Sequence, residues 1–162
     1  MSCDDILVRK YRETDFDAVL EMESSRGGDL YYHAVFIRQM AFLFPEFFLI
    51  AFNKDGEIIG YTLGGIDAGE SKSGLVMRIF VVPAFRRCGA GRLLMEKLEK
   101  RFLDFRVESI SLTVSPLNEG AIRLYEKIGF SKSDYIKDYF GKGEDRIVMT
   151  APHDEKLLTE PN

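Results

Sequence analysis

The apolar positions of this chain recur with two periods, and the two periods predict different elements. Short alternating or continuous apolar runs are typical of β-strands, whereas helical spacing is typical of α-helices that bury one face. Strand-like runs cover residues 6–12, 47–52, 57–64, 75–82, 109–116, 131–140 and 146–151. Helical patterns begin at about residues 14, 30, 91 and 118. Because strands and helices are interspersed, the pattern predicts a mixed α/β domain.

The links between these elements indicate how the strands pair. Asp55 and Gly56 lie between two strand-like runs, where this dipeptide favours an antiparallel hairpin. The third helix lies between two strands, which implies a parallel crossover. Its predicted buried stripe consists of Leu94, Met95, Leu98 and Phe102. The fourth helix has Asn118 as its N-cap and Gly129 as its C-terminal stop.

The second helical pattern, residues 30–44, is too apolar for an exposed loop, and Pro45 ends it. A stripe of methionine and aromatic residues belongs more often to a core than to a binding surface. Most of this face is therefore expected to be buried. Its members are Val35, Phe36, Met40, Leu43 and Phe44.

Composition limits the class of protein. The chain has 162 residues, 46% of them hydrophobic, which suits one domain; we expect it over residues 1–152, with a tail at 153–162. A net charge of −4 argues against a nucleic-acid partner. No signal peptide or membrane-spanning run is evident, so no membrane partner is expected. Cys3 and Cys88 suggest neither a disulfide framework nor a metal site, which favours the reducing cytoplasm.

The most informative stretch is the turn RRCGAG between the fourth strand and the third helix. A helix start presents unpaired N–H groups and the positive end of the helix dipole, so phosphate groups bind there. Gly89 and Gly91 permit a tight turn and the close approach of a ligand. Arg86, Arg87 and Arg92 add positive charge. In an acidic chain this cluster indicates a small phosphorylated ligand, although a plain strand-turn-helix junction explains the glycines equally well.

Two motifs resemble those of the GCN5-related N-acetyltransferase (GNAT) superfamily. Arg86, Gly89 and Gly91 match the fixed positions of its acetyl-CoA signature. A second motif is matched downstream by Asn118, Ala121, Ile122, Leu124, Tyr125, Gly129 and Phe130. The resemblance covers about residues 7–149 and implies a GNAT-like fold, with a predominantly antiparallel sheet of six or seven strands and about four helices.

The resemblance also implies acetyl-CoA as the cosubstrate. Main-chain groups of Phe80 to Val82 would pair with the pantetheine amides, and the N–H groups of residues 87–91 would hold the pyrophosphate. Asn118 would contact the cofactor arm, and Tyr125, on the same helix face, would protonate the leaving thiolate. Without the motif, Tyr125 is a core aromatic at helical spacing. The cofactor-binding candidates are Phe80, Val81, Val82, Arg86, Arg87, Cys88, Gly89, Ala90, Gly91, Arg92, Asn118 and Tyr125.

The segment DYIKDYFGKGEDRIVM resembles the last two strands of N-terminal protein acetyltransferases of the ribosomal-alanine and Ard1 kinds. This resemblance implies a protein or peptide α-amine as acceptor, in a groove lined by the second helix, and a monomer or homodimer. The candidate acceptor-binding residues are Asp29, Tyr31, Tyr135, Tyr139 and Phe140. Two alternatives are an acetyltransferase for small amines or polyamines and an acyl-CoA-binding module without turnover.

One departure concerns the general base. Those subgroups often carry Glu or His on the fifth strand, where this chain has Thr113. An α-amine with a pKa near 8 is about one-tenth neutral at pH 7, so it needs a base less than a lysine does. Glu23, Asp29 and Asp67 could accept the proton through water, but each is expected to be a solvated surface charge. No partner base is evident for Cys88, which favours direct attack of the amine on the thioester.

Overall fold

The computed structural model describes residues 5–67 and 72–152. Within these ranges the elements are β1 (Leu7–Lys10), α1 (Phe16–Ser24), α2 (Leu30–Leu43), β2 (Phe48–Phe52), β3 (Ile58–Ile66), β4 (Ser73–Val81), α3 (Ala90–Asp104), β5 (Ser109–Val114), α4 (Glu119–Lys127), β6 (Ser131–Ile136) and β7 (Arg146–Pro152). Short 3-10 helices cover Glu13–Asp15 and Pro83–Phe85.

The strands form one sheet in the order β1-β2-β3-β4-β5-β7-β6. The pairs β1/β2, β2/β3, β5/β7 and β6/β7 are antiparallel, and β4/β5 is parallel. The predicted mixed α/β class with a mainly antiparallel sheet is therefore confirmed. No helix among the described residues is both long and apolar enough to cross a membrane.

The chain divides into two compact units. The first comprises Met1–Gly64 and Arg78–Arg101, and the second comprises Gly65–Met77 and Phe102–Asn162. The predicted domain bounds of 1–152 stay a prediction. The predicted tail at residues 153–162 lies outside the described residues.

The hairpin of β2 and β3 has the predicted position. β2 is a continuous apolar run because it is buried, with Phe48 to Ala51 at most 2% exposed. In the turn, the Asn53 side-chain oxygen accepts bonds from the N–H groups of Asp55 at 3.0 Å and Glu57 at 2.9 Å. Gly56 has a φ of +82°, the left-handed conformation that favours glycine.

The predicted parallel crossover is also present. All four predicted stripe residues of α3 are 0% exposed. β4 and β5 pair in parallel from Ser73↔Ser109 to Val76↔Leu112. Phe102 packs on Gly74, where an added Cβ would stand only 2.9 Å from the ring, so this position admits no side chain without movement.

The burial of α2 differs from the prediction. Of its residues only Ile37 is fully buried, and Leu43 is 57% exposed although it was assigned to the core face. Phe42 is 85% exposed. When nearly all positions of a helix are apolar, the sequence does not show which face is buried, because that face is recognised from the contrast between apolar and polar positions. The helix end before Pro45 is as predicted.

The sixth strand is shorter than predicted. It ends at Ile136, so Tyr139 and Phe140 lie in the turn before β7 and not in a strand. Asp138 adopts a φ of +54°, which interrupts the extended conformation.

Asp15 fastens the start of α1 to β1. It is 2% exposed, and both of its carboxylate oxygens accept bonds from Arg9, at 2.7 and 2.8 Å. The backbone N–H of Arg12 donates a further bond at 2.7 Å. Burial alone would raise the pKa of Asp15, but the bonds from Arg9 and Arg12 outweigh it and hold the pKa below its usual value.

Asp15→Asn is expected to lower the free energy of unfolding by about 2 kcal/mol at pH 7, since charge-assisted bonds of this kind contribute about 1.5–3 kcal/mol each. Because the pKa of Asp15 is depressed in the folded state, its contribution is present above the unfolded pKa and is lost as the pH falls through the folded value. Urea denaturation at several pH values should show the two proteins converging below about pH 4. The exposed neighbour Asp17 provides the control substitution, and a pH-independent difference would contradict the assignment.

Candidate functional site

The turn after β4 has the backbone geometry of an anion cradle. Arg87 and Gly89 have φ values of +65° and +86°, and α3 begins at the next residue, Ala90. Residues in the left-handed conformation beside a helix start leave backbone N–H groups exposed, and the dipole of α3 adds positive potential there. Within residues 5–67 and 72–152, no atom lies within 4 Å of an added Cβ at Gly89, so the described residues leave the space in front of it open.

Two of the three arginines around the turn have partners within the chain. Arg86 Nε donates to the Val81 carbonyl at 3.1 Å, and Arg92 Nε donates to Glu96 at 2.6 Å, one helical turn further along. Each guanidinium carries five N–H groups, so both keep donors for an anion. All three side chains are exposed.

Cys88 lies in the same turn and takes part in a disulfide. The number and spacing of the two cysteines gave no indication of this disulfide. A disulfide sulfur offers no thiolate, which leaves direct attack of the acceptor amine as the simpler chemistry. The predicted cytoplasmic location stays a prediction, and disulfides are uncommon there outside hyperthermophiles.

Residues at the end of β4 use some of their main-chain N–H and C=O groups to pair with β3. The Val82 N–H donates to the Ile59 carbonyl at 2.9 Å, and the Phe80 carbonyl would lie 2.5 Å from a Cβ on Gly60 of β3. Residues of a paired strand direct their N–H and C=O groups alternately to its two edges. Of the predicted residues, Val81 is therefore the one whose peptide groups face away from β3, and its carbonyl accepts the bond from Arg86.

The second unit holds the two candidates on α4. Asn118 is the N-cap, as predicted, and its side-chain oxygen accepts the Ala121 N–H at 3.2 Å. Its NH₂ group is then the part suited to a cofactor contact. Tyr125 is 5% exposed, and its ring centroid lies 6.0 Å from that of Phe130. Gly129, with a φ of +100°, ends the helix as predicted.

The turn between β6 and β7 is fixed by two carboxylates. The Tyr135 hydroxyl donates to Asp145, which also accepts the Asp138 N–H at 2.9 Å. Asp138 in turn accepts the Gly143 N–H at 2.6 Å. The bond to Asp145 raises the pKa of Tyr135 and lowers that of Asp145. These bonds give the exposed turn a defined shape.

Aromatic rings cover the outside of this turn. The rings of Tyr139 and Phe140 meet edge to face at 4.7 Å, and the Arg146 guanidinium lies 4.8 Å from the Phe140 ring centroid. Tyr135, Tyr139 and Phe140 are 53%, 47% and 61% exposed. Exposed, pre-positioned aromatic rings suit the binding of a peptide.

The first unit holds the acceptor candidates that begin α2. The Asp29 carboxylate is the N-cap and accepts the Tyr31 N–H at 2.7 Å. Capping of α2 therefore explains why an aspartate stands at this position. Tyr31 is 69% exposed, and its ring lies against that of Tyr32.

A partly buried group of polar and charged side chains, which we call the Glu23 cluster, consists of Glu23, Tyr61, Arg78 and His33. Glu23 is 1% exposed and accepts a bond from the Tyr61 hydroxyl. Its second oxygen lies 3.5 Å from Arg78 Nε and 3.8 Å from His33 Nδ1. Burial, with the charge of Glu23 and the bond to it, raises the pKa of Tyr61 far above its usual value, so the hydroxyl stays a donor.

The expectation that Glu23 is a solvated surface charge is wrong. Two signals in the sequence point to its burial. Glu23 follows the buried Val19 by four positions, which places it on the apolar face of α1. Arg78 interrupts an apolar strand, and a charge in such a strand requires a partner nearby.

The other candidates for a base have ordinary positions. Thr113 pairs with Val148 in the β5/β7 ladder, and Asp67 is exposed. Asp29 is exposed as well as capping α2. In residues 5–67 and 72–152, no three His, Cys, Asp or Glu side chains are grouped so as to hold a metal ion.

Known proteins share this architecture. Residues 8–130 match the model of the acetyltransferase (GNAT) family. An N-alpha-acetyltransferase of Sulfurisphaera tokodaii is 30% identical over 155 residues, which cover 90% of this chain and 92% of that protein. Ard1 from Thermoplasma volcanium has a similar structure, with a TM-score of 0.82 at 23% identity, over 93% of this chain and 99% of that one. Naa20 of Chaetomium thermophilum, solved with a bisubstrate analogue, gives a TM-score of 0.77 at 26% identity, over 95% and 90%.

Proposed function

Because the chain belongs to the acetyltransferase (GNAT) family, we propose that it transfers the acetyl group of acetyl-CoA to a protein or peptide N-terminal α-amine. The resemblance to N-terminal acetyltransferases is confirmed by the relatives, and the chain is an N-acetyltransferase. A binding module without turnover is therefore set aside. The finer assignment, to α-amines, rests on the name of the Sulfurisphaera relative and on the exposed aromatic turn.

The open, left-handed turn at Gly89 is the observation that carries the cofactor assignment. Its N–H groups would hold the pyrophosphate, with Arg86, Arg87 and Arg92 adding charge. Asn118 would donate its NH₂ group to the cofactor arm.

The reaction follows from direct attack. The neutral amine attacks the thioester carbonyl, and a C–N bond forms. The tetrahedral intermediate then expels the CoA thiolate as the C–S bond breaks. The amine loses one proton to solvent water. The thiolate gains one proton from the phenol of Tyr125, which we assign as the donor and which water then reprotonates. An α-amine is partly neutral at pH 7, so the reaction can proceed although Thr113, which is not a base, stands where the general base is usually found.

The experiment that tests this function compares acceptors. Purified enzyme, acetyl-CoA and either a mixed library of peptides with free N-termini or spermidine are incubated, and CoA release and acetylated products are measured. We expect peptide-dependent CoA release with acetylation at the α-amine. Faster turnover of spermidine than of any peptide would replace this assignment with the small-amine alternative.

Tyr139→Ala is expected to raise the KM for a peptide acceptor about tenfold, since truncating a contacting aromatic residue costs about 1–2 kcal/mol. The affinity for acetyl-CoA should not change, because this residue would contact only the second substrate. Steady-state kinetics and calorimetry check the two statements. Phe105→Ala is the matched control, because Phe105 is an equally exposed aromatic residue at 47%. Equal effects of both substitutions would remove Tyr139 from the acceptor site.

A further inference from the structure

Helix α2 exposes an apolar stripe along its whole length. The four large side chains of this stripe are each more than half exposed, from 57% for Leu43 to 85% for Phe42. At about 100° per residue they fall on one side of the helix, opposite the buried Ile37. Extended apolar patches of this kind mark interaction sites. We call this surface the α2 face; it consists of Tyr31, Tyr32, Val35, Gln39, Phe42 and Leu43.

The α2 face itself carries no charged residue. Arg38 lies at its rim, where the guanidinium is paired with Glu13 and its carbon lies 4.0 Å from the ring centroid of Phe16. A membrane surface or a nucleic acid would require several basic residues along the face. An uncharged face instead allows two copies of a chain with a net charge of −4 to meet without placing like charges against each other. The charges therefore favour a second copy of this chain as the partner.

The order of residues makes the α2 face complementary to itself. When two copies of α2 pack antiparallel about a twofold axis at the level of residue 37, positions equally far from that residue lie opposite each other. Tyr32 then meets the partner's Phe42, and Val35 meets the partner's Gln39. Large side chains stand at both ends of the contact and smaller ones in its middle. Two helices that cross at about 20° can stay in contact over this length.

The area of the α2 face is sufficient for a specific dimer. Taking about 200 Å² for each of the four large side chains, their exposed fractions amount to roughly 550 Å² per protomer. Two copies would bury roughly 1,100 Å², before Val35 and Gln39 are counted, and a biological interface is expected to exceed about 1,000 Å².

We propose that two copies of this chain form a twofold symmetric dimer through their α2 faces, with the helices antiparallel. Burial in the dimer explains why a helix of nearly uniform apolar composition lies at the surface of one chain. The dimer does not depend on the proposed function, so the failure of either leaves the other standing. Tyr31 is also an acceptor candidate, and the partner's Leu43 would lie opposite it.

Sedimentation equilibrium of the wild-type protein tests the dimer directly. At about 100 µM, well above the micromolar dissociation constants of weak interfaces of this size, we expect twice the mass of the 18.5 kDa chain. The mass of a single chain at this concentration would overturn the proposal and leave the α2 face to a different partner.

A charged substitution then assigns the dimer to the α2 face. Phe42→Glu would bury a carboxylate in the interface, and we expect this variant to be a monomer at the same concentration. Its fold should persist, as circular dichroism would show, because Phe42 is exposed in the single chain. Leu117→Glu is the matched control, since Leu117 is 90% exposed and lies outside α2, and it should remain a dimer. A dimeric Phe42→Glu or a monomeric Leu117→Glu would contradict the assignment.

A mixture of two variants tests the antiparallel arrangement. Tyr32→Lys should also be a monomer, because it places an ammonium group against the partner's Phe42. In an equimolar mixture of Tyr32→Lys and Phe42→Glu, the two introduced charges would face each other, and the symmetry-related contact would keep its native residues. Mixed dimers should therefore form, and native mass spectrometry identifies them by their mass. A mixture that stays monomeric would refute the antiparallel dimer.

Discussion

Gly89→Val is expected to weaken acetyl-CoA binding by about 100-fold or more, the loss that follows when two charge-assisted hydrogen bonds to the pyrophosphate are broken. Gly89 has a φ of +86°, which a β-branched residue resists. The valine side chain would also occupy the open space that the phosphate needs. No atom of the described residues lies within 4 Å of the added Cβ, so the fold itself should persist. Calorimetric titration with acetyl-CoA measures the effect.

Gly56→Val provides a matched control for this substitution. Gly56 has nearly the same φ, +82°, and also has nothing within 4 Å of an added Cβ, but it lies in the β2–β3 turn. Both variants should lose a similar amount of stability through backbone strain. Only Gly89→Val should lose cofactor affinity. Equal affinities of the two variants would show that the turn at Gly89 does not bind the pyrophosphate.

Tyr125→Phe is expected to lower kcat by about 10- to 10³-fold, the range of typical general-acid contributions. The ring stays in place against Phe130, so stability and cofactor affinity should change little. The CoA thiolate leaves partly unassisted, which places the expected loss toward the lower end. Single-turnover acetyl transfer at saturating substrates, measured across pH, isolates the chemical step.

Tyr11→Phe is the control for the loss of a phenol oxygen. The Tyr11 hydroxyl is buried and has no hydrogen-bond partner among the described residues, and its ring stacks on Phe48 at 4.4 Å. Its removal should leave kcat unchanged. If Tyr125→Phe behaves in the same way at every pH, Tyr125 returns to being a core aromatic and the proton donor lies elsewhere.

Local rules were sufficient for the parts of the fold that depend on neighbouring residues. Asn118 and Gly129 bound α4 because capping needs only a side-chain oxygen and a residue that accepts positive φ. The apolar stripe of α3 was predictable because polar residues separate its members. The turn before α3 was predictable for the same reason, since Gly89 adopts its positive φ through its own backbone.

The Glu23 cluster could not be assembled by such rules. Glu23 and Tyr61 are 38 positions apart, and the sheet brings them together only after folding. The sequence showed a carboxylate at a helix end and a tyrosine in a strand, each of which is ordinary alone. For the same reason the sequence did not predict that Arg78 lies beside Glu23.

The turn before α3 also bears on how stability and activity are balanced in this protein. Arg87 has a φ of +65°, a conformation that costs a residue with a Cβ about 1–2 kcal/mol relative to glycine. Glycine or asparagine would fit this position with less strain. The chain therefore retains an arginine at an energetic disadvantage, directly beside the place proposed for the pyrophosphate. A search for more heat-resistant variants would be drawn to residue 87, and would gain stability there at the expense of the proposed contact with phosphate.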